Sequence, residues 1–186
     1  MARYFDHEEW VEAARKRRCL TDTSPPHVLA RFAEDIDFVH KLERAVVWCE
    51  KRGLSVEFTA ASGGMYRHDD RAIDVSYRSY PEAQLYTLLH EAGHHLVWTS
   101  SPKLYKEKYE NGYQRIKLSE RTAQHKMDAV AEEYEAWFRG WKLARRLHLF
   151  LDKERYIACR DKNVKSYFRW ALDIFEYSDK SLKKDV

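Results

Sequence analysis

The run LYTLLHEAGHHLVW at residues 85–98 constrains this chain more than any other stretch. Leu85, Leu88, Leu89, Ala92 and Leu96 recur at three- and four-residue steps, which makes them one face of a helix. His90 and His94 stand four residues apart, about one turn, so both imidazoles leave the opposite side together. Tyr86, Val97 and Trp98 make the helix apolar nearly all round, and some other element must therefore cover the histidine face. Two readings of that covered pair are open: structural histidines, or ligands of one metal ion. The second is favoured because His90-Glu91-Ala92-Gly93-His94 has HExxH spacing. In that geometry Glu91 is no ligand. It stands where it can hold and deprotonate a water whose pKa zinc lowers towards ~7. His95 points about 100° away from His94 and is expected in a supporting or surface position.

Two histidines leave a zinc site incomplete, and the candidate third ligand lies in Asp128-Ala-Val-Ala-Glu132-Glu133-Tyr-Glu135-Ala136-Trp137. Val130, Tyr134, Trp137 and Trp141 fall on one helical stripe, which predicts Asp128, Glu132, Glu135 and Arg139 on the solvated side. Glu133 borders the stripe and lies in a row of small residues, Ala129, Ala136 and Gly140, that would let two helices approach closely. Glu133 is thus the expected ligand, with His125 the competing one.

The rest of the chain is divided by Gly and Pro. A charged helix is expected over 6–18, whose Arg15-Lys16-Arg17-Arg18 cluster reads as a solvated face. Ser24-Pro25-Pro26 offers a cap and start for a second helix, carrying Val28, Phe32, Ile36, Val39, Val46 and Val47 inward and ending at Gly53. Alternation at Leu54–Phe58 and Ile73–Tyr77 predicts two strands of a small sheet. Pro81 and Glu82 suit the first turn of the HExxH helix. Residues 101–126 hold seven Lys or Arg against three Glu around Asn111-Gly112, which predicts a mobile excursion with some local helix, folding over the cleft. Helices are expected over 127–149 and 153–177.

Composition excludes several classes. Eight Phe, six Trp and twelve Tyr supply core material that a disordered chain lacks, and 186 residues suffice for one core but are few for two. A formal charge of +3 argues against nucleic acid as the primary partner. No apolar stretch approaches the ~20 residues of a membrane helix, and the acidic start does not resemble a signal peptide, so a soluble, cytoplasmic protein is expected. Cys19, Cys49 and Cys159, odd in number and without CxxC spacing, read as reduced, buried thiols.

The order of these elements resembles the ImmA/IrrE family of zincin-like metallopeptidases. A strand pair ending in Ile73-Asp74-Val75 is followed by Thr87-Leu88-Leu89, the HExxH motif, and a downstream helix with Glu133-Tyr-Glu135-Ala136. The likeness covers about residues 54–145. It implies His90, His94 and Glu133 as zinc ligands, Glu91 as general base, and a protein substrate such as a transcriptional repressor.

The combined expectation is a single α+β domain over 1–186: N-terminal helices to 53, a zincin-like core over 54–149 with a small twisted sheet against the HExxH helix, and a C-terminal helix over 150–186. The expected activity is Zn2+-dependent hydrolysis of a peptide bond in a protein or peptide partner. Tyr66, Tyr113 or His125 would steady the oxyanion, and the strand at Ile73–Tyr77 is the candidate edge for peptide addition. The alternative is a regulatory protein that keeps the scaffold and the metal without catalysis, gripping a protein or nucleic acid through the basic 101–126 segment.

Overall fold

The computed structural model describes residues 7–17, 24–100, 102–109 and 122–182. It is an α+β chain. Its elements are α1 (His7–Arg17), α2 (Pro26–Glu50), β1 (Ser55–Thr59), β2 (Met65–Arg67), β3 (Ala72–Ser76), α3 (Pro81–Ser100), α4 (Pro102–Lys108), α5 (Ala123–Arg146) and α6 (Lys153–Leu182). No helix among the described residues is long and apolar enough to cross a membrane. Packing divides the chain into two units, with one boundary between Ala92 and Gly93 inside α3 and another between Arg139 and Gly140 inside α5.

The first unit comprises the described residues of Met1–Ala92 together with Gly140–Phe150. Helix α2 starts at Pro26, a residue whose fixed φ suits the first turn. Its N-cap is Pro25, not the expected Ser24, and no side chain caps it; the amides of Val28 and Leu29 instead donate to the Pro25 carbonyl. Val39 and Val46 are buried as expected, whereas Val47 is exposed because Trp48 and Cys49 take the inward positions. Gly53, at φ +69°, turns the chain out of the helix and into β1.

The sheet has the order β1-β3-β2, with β1 parallel and β2 antiparallel to β3. Only two strands were expected. The segment of about a dozen residues that must link two parallel strands contains the third, too short to show alternation. The expectation that Ile73–Tyr77 forms an edge is therefore wrong: β3 is central, and β1 and β2 are the edges. Val56, Phe58, Ile73 and Val75 share the buried face, and burying each side chain stabilises the fold by roughly 1.5–3 kcal/mol. On the other face Arg67 pairs with Glu57 at 2.7 Å and Asp74 at 3.2 Å. The fully buried Gln84 donates from Nε2 to the Ser76 carbonyl at 3.1 Å, tying the start of α3 to the end of β3.

The second unit comprises the described residues of Gly93–Arg139 and Leu151–Val186. Val97, Tyr105 and Tyr109 form one buried cluster, with Trp98 packed against it at 4.9 Å between its ring and that of Tyr105. The local helix expected in the excursion is α4, packed through Tyr105 and Tyr109 instead of standing free, and the stretch from 110 to 121 lies outside the described residues. Tyr156 of α6 donates its hydroxyl to the Trp137 carbonyl at 3.0 Å, and Lys126 of α5 donates to the Trp170 carbonyl while its ammonium lies 4.6 Å from the Trp170 ring centre. Cys49, which is buried, and Cys159, which is only partly so, form no disulfide among the described residues, and Cys19 lies outside them. Burial pushes the Cys49 thiol up to about 12, which leaves it protonated and inert at neutral pH.

Candidate metal centre

Helix α3 forms because few β-branched residues interrupt LYTLLHEAGHHLVW, Pro81 opens it, and Glu82 lies at its positive end, where it also accepts the Tyr86 hydroxyl at 2.8 Å. It stops where Thr99 and Ser100 turn their hydroxyls back onto the carbonyls of His95 and Val97, just before Pro102. The helix is buried nearly all round, as its sequence requires. His90, Glu91, Ala92 and His95 are all buried, so His95 is not a surface residue.

Gly93, the fourth residue of the motif, shows why α3 and α5 come close. A Cβ at this position would lie 2.0 Å from the Ala136 carbonyl oxygen, so backbone meets backbone here. The row of small residues on α5 serves as expected. It also brings α5 carboxylates to His94: Glu133 Oε1 lies 3.4 Å from Nε2, and Glu132 Oε1 lies 3.1 Å from Nδ1.

His90, His94 and Glu133 each offer a ligand atom within 4.8 Å of the other two, an arrangement that could hold a metal ion. The three residues expected to be ligands are therefore together, and the competing His125 is not in the group. His125 is buried instead against the Trp170 ring, 6.2 Å away. Glu91 Oε1 stands 4.0 Å from His90 Nε2. The turn before β2 covers that carboxylate closely: a Cβ on Gly64 would lie 3.0 Å from Glu91 Oε1 and 2.2 Å from Thr87 Cγ2.

The predicted direction of α5 is corrected. Asp128 and Glu132, expected in solvent, are 8% and 5% exposed, while Tyr134, expected in the core, is 49% exposed. The buried arc centres on Ala129, Ala136 and Gly140, roughly 100° round from the aromatic stripe. Glu133 and Glu132 flank that centre. The signal for Glu132 was present in the small-residue row, which marks the line of closest approach better than the aromatic residues do. Gly64 had a weaker signal, the Gly63-Gly64 pair.

Of the residues considered for the oxyanion, Tyr66 is half-buried on β2 with its ring against His68, and burial raises its phenol above the usual value with Arg71 opposing. Tyr113 lies outside the described residues. A tyrosine not considered from sequence, Tyr109, is buried within electrostatic reach of Glu135 and Glu132; burial raises its phenol, against the pull of Lys108.

No family model, no curated protein and no solved structure matches this chain.

Proposed function

We propose that the chain is a cytoplasmic zinc metallopeptidase of zincin-like fold, akin to the ImmA/IrrE family, that hydrolyses a peptide bond in a regulatory protein such as a repressor. One observation carries the reading: the His90, His94 and Glu133 ligand group with the Glu91 carboxylate beside it. Two imidazoles and one carboxylate are the donor set of hydrolytic zinc sites that keep a position open. Zinc held by these three residues would supply a Lewis acid for the scissile carbonyl and lower the pKa of water towards ~7.

Glu91 does the proton work. Its carboxylate takes a proton from the attacking water at Oε1 and passes it to the leaving amine, a role that needs it near the ligands yet not bound as one. Gly64 leaves room for that carboxylate, since any side chain there would crowd it. Strand β2, which begins beside Gly64, is the edge on which an extended substrate adds as a further strand.

The test is elemental analysis of the purified chain, followed by cleavage of unfolded casein and a quenched peptide library. About one zinc per chain is expected. Glu91→Gln should keep the zinc and lose at least ~100-fold in cleavage rate. A chain that takes up no zinc, or a Glu91→Gln variant as active as the parent, overturns the proposal.

A further inference from the structure

We infer that Glu132 is the positioning residue of this centre, accepting the Nδ1–H of His94 and thereby presenting Nε2 to the metal beside Glu133. The inference rests on the metal-centre reading. It begins from two contacts on opposite edges of one imidazole: Glu132 Oε1 at 3.1 Å from Nδ1 and Glu133 Oε1 at 3.4 Å from Nε2. Adjacent residues on a helix point about 100° apart, so neighbouring glutamates can reach round a ring where residues one turn apart would stack on one side of it.

The chemistry of the two edges differs. An ionised carboxylate only accepts hydrogen bonds, so the nitrogen facing Glu132 must carry the proton. A neutral imidazole has one N–H; with Nδ1 protonated, Nε2 keeps its lone pair and points to the side where Glu133 and the ligand group lie. Glu132 is itself outside that group.

Burial supports the assignment. Taking a carboxylate out of water is costly unless it is hydrogen-bonded, and Glu132, at 5% exposed, has His94 as its partner. The contact of Gly93 with Ala136, one turn along α5 from Glu132, sets the helix spacing at which this bond is made. A carboxylate behind a metal-bound histidine fixes the ring and its tautomer and strengthens it as a ligand, and losing it typically costs 10–100-fold in metal affinity.

The test uses the full chain and its Glu132→Gln, Glu132→Ala and Glu132→Asp variants. Zinc affinity is measured by competition with a chromophoric chelator, coordination by the visible absorption of the cobalt-loaded forms, and metal-free stability by urea unfolding. Glu132→Ala should bind zinc about 10–100-fold more weakly than the parent and alter the cobalt spectrum, Glu132→Gln should fall between the two, and Glu132→Asp should recover part of the loss. Should Glu132→Ala not fold, the isosteric Glu132→Gln decides. If the variants lose metal-free stability but match the parent in zinc affinity and cobalt spectrum, Glu132 is only a structural partner of His94 and the inference fails. If the parent itself binds neither zinc nor cobalt, the metal reading fails first, which is a distinct result.

Discussion

Helices α3 and α5 carry the two halves of the proposed ligand set in opposite kinds of sequence. In α3 the histidines sit among leucines and the helix is buried nearly all round, so small errors in its orientation change nothing about which residues are inside. In α5 the candidate ligand Glu133 lies among Asp128, Glu132, Glu135 and Arg139, and everything depends on direction. The apolar stripe is buried only in part, at Val130 and Trp137. Tyr134 is amphipathic and lies at the surface, 5.0 Å from the Arg160 guanidinium, while the buried centre is drawn by residues too small to hold helices apart. The difference teaches that a helix buried on one side for a polar purpose is oriented by its smallest residues. Carboxylates then go inward wherever a donor waits for them.

The largest expected effect breaks the contact on which both helices rely. Gly93→Ala places a methyl on the Ala136 carbonyl and should destabilise the fold by about 3 kcal/mol or more in urea unfolding, with loss of zinc binding, since the helices must part. A loss below ~0.5 kcal/mol would mean that α3 and α5 do not meet backbone to backbone.

Next comes the ligand carboxylate of α5. Glu133→Ala should weaken zinc binding by orders of magnitude, and the melting temperature of the parent, but not of the variant, should fall when EDTA is added. For the parent, zinc at 100 times its dissociation constant contributes about 2.7 kcal/mol of stability by mass action. Equal EDTA sensitivity in both proteins would remove Glu133 from the ligand set.

The smallest effects sharpen the direction of α5. Glu135 is half-buried and holds Arg139 of its own helix at 2.9 Å, so Glu135→Ala should cost under ~0.5 kcal/mol and spare zinc. Trp137→Ala should cost about 3–5 kcal/mol, since that ring is buried against Tyr156, whereas the exposed Tyr134 should lose under ~1 kcal/mol on truncation. If denaturant curves showed that truncating Tyr134 cost as much as truncating Trp137, the whole aromatic stripe would be the core face and the burial of Glu132 would be wrong.

Local chemistry made much of this protein legible in one dimension. The HExxH spacing put His90 and His94 on one helical face, Pro26 and Pro81 started their helices, Gly53 ended one, and the alternation at Leu54–Phe58 and Ile73–Tyr77 marked two strands. These outcomes depend on steric and hydrogen-bonding preferences that act within a few residues, so sequence alone determines them. The approach of Glu133 to His94 was also legible, through the small residues around it. Tertiary structure decided the rest. That β3 is central follows from pairing with Met65–Arg67, a strand whose three residues carry no period of their own. That Glu132 is buried follows from the rotation of α5, set by the contact between Gly93 and Ala136 and by the imidazole that meets the carboxylate there. A side chain's own polarity predicts its exposure only when no partner is available, and such a partner, 38 positions away in the chain, exists only once the helices have packed.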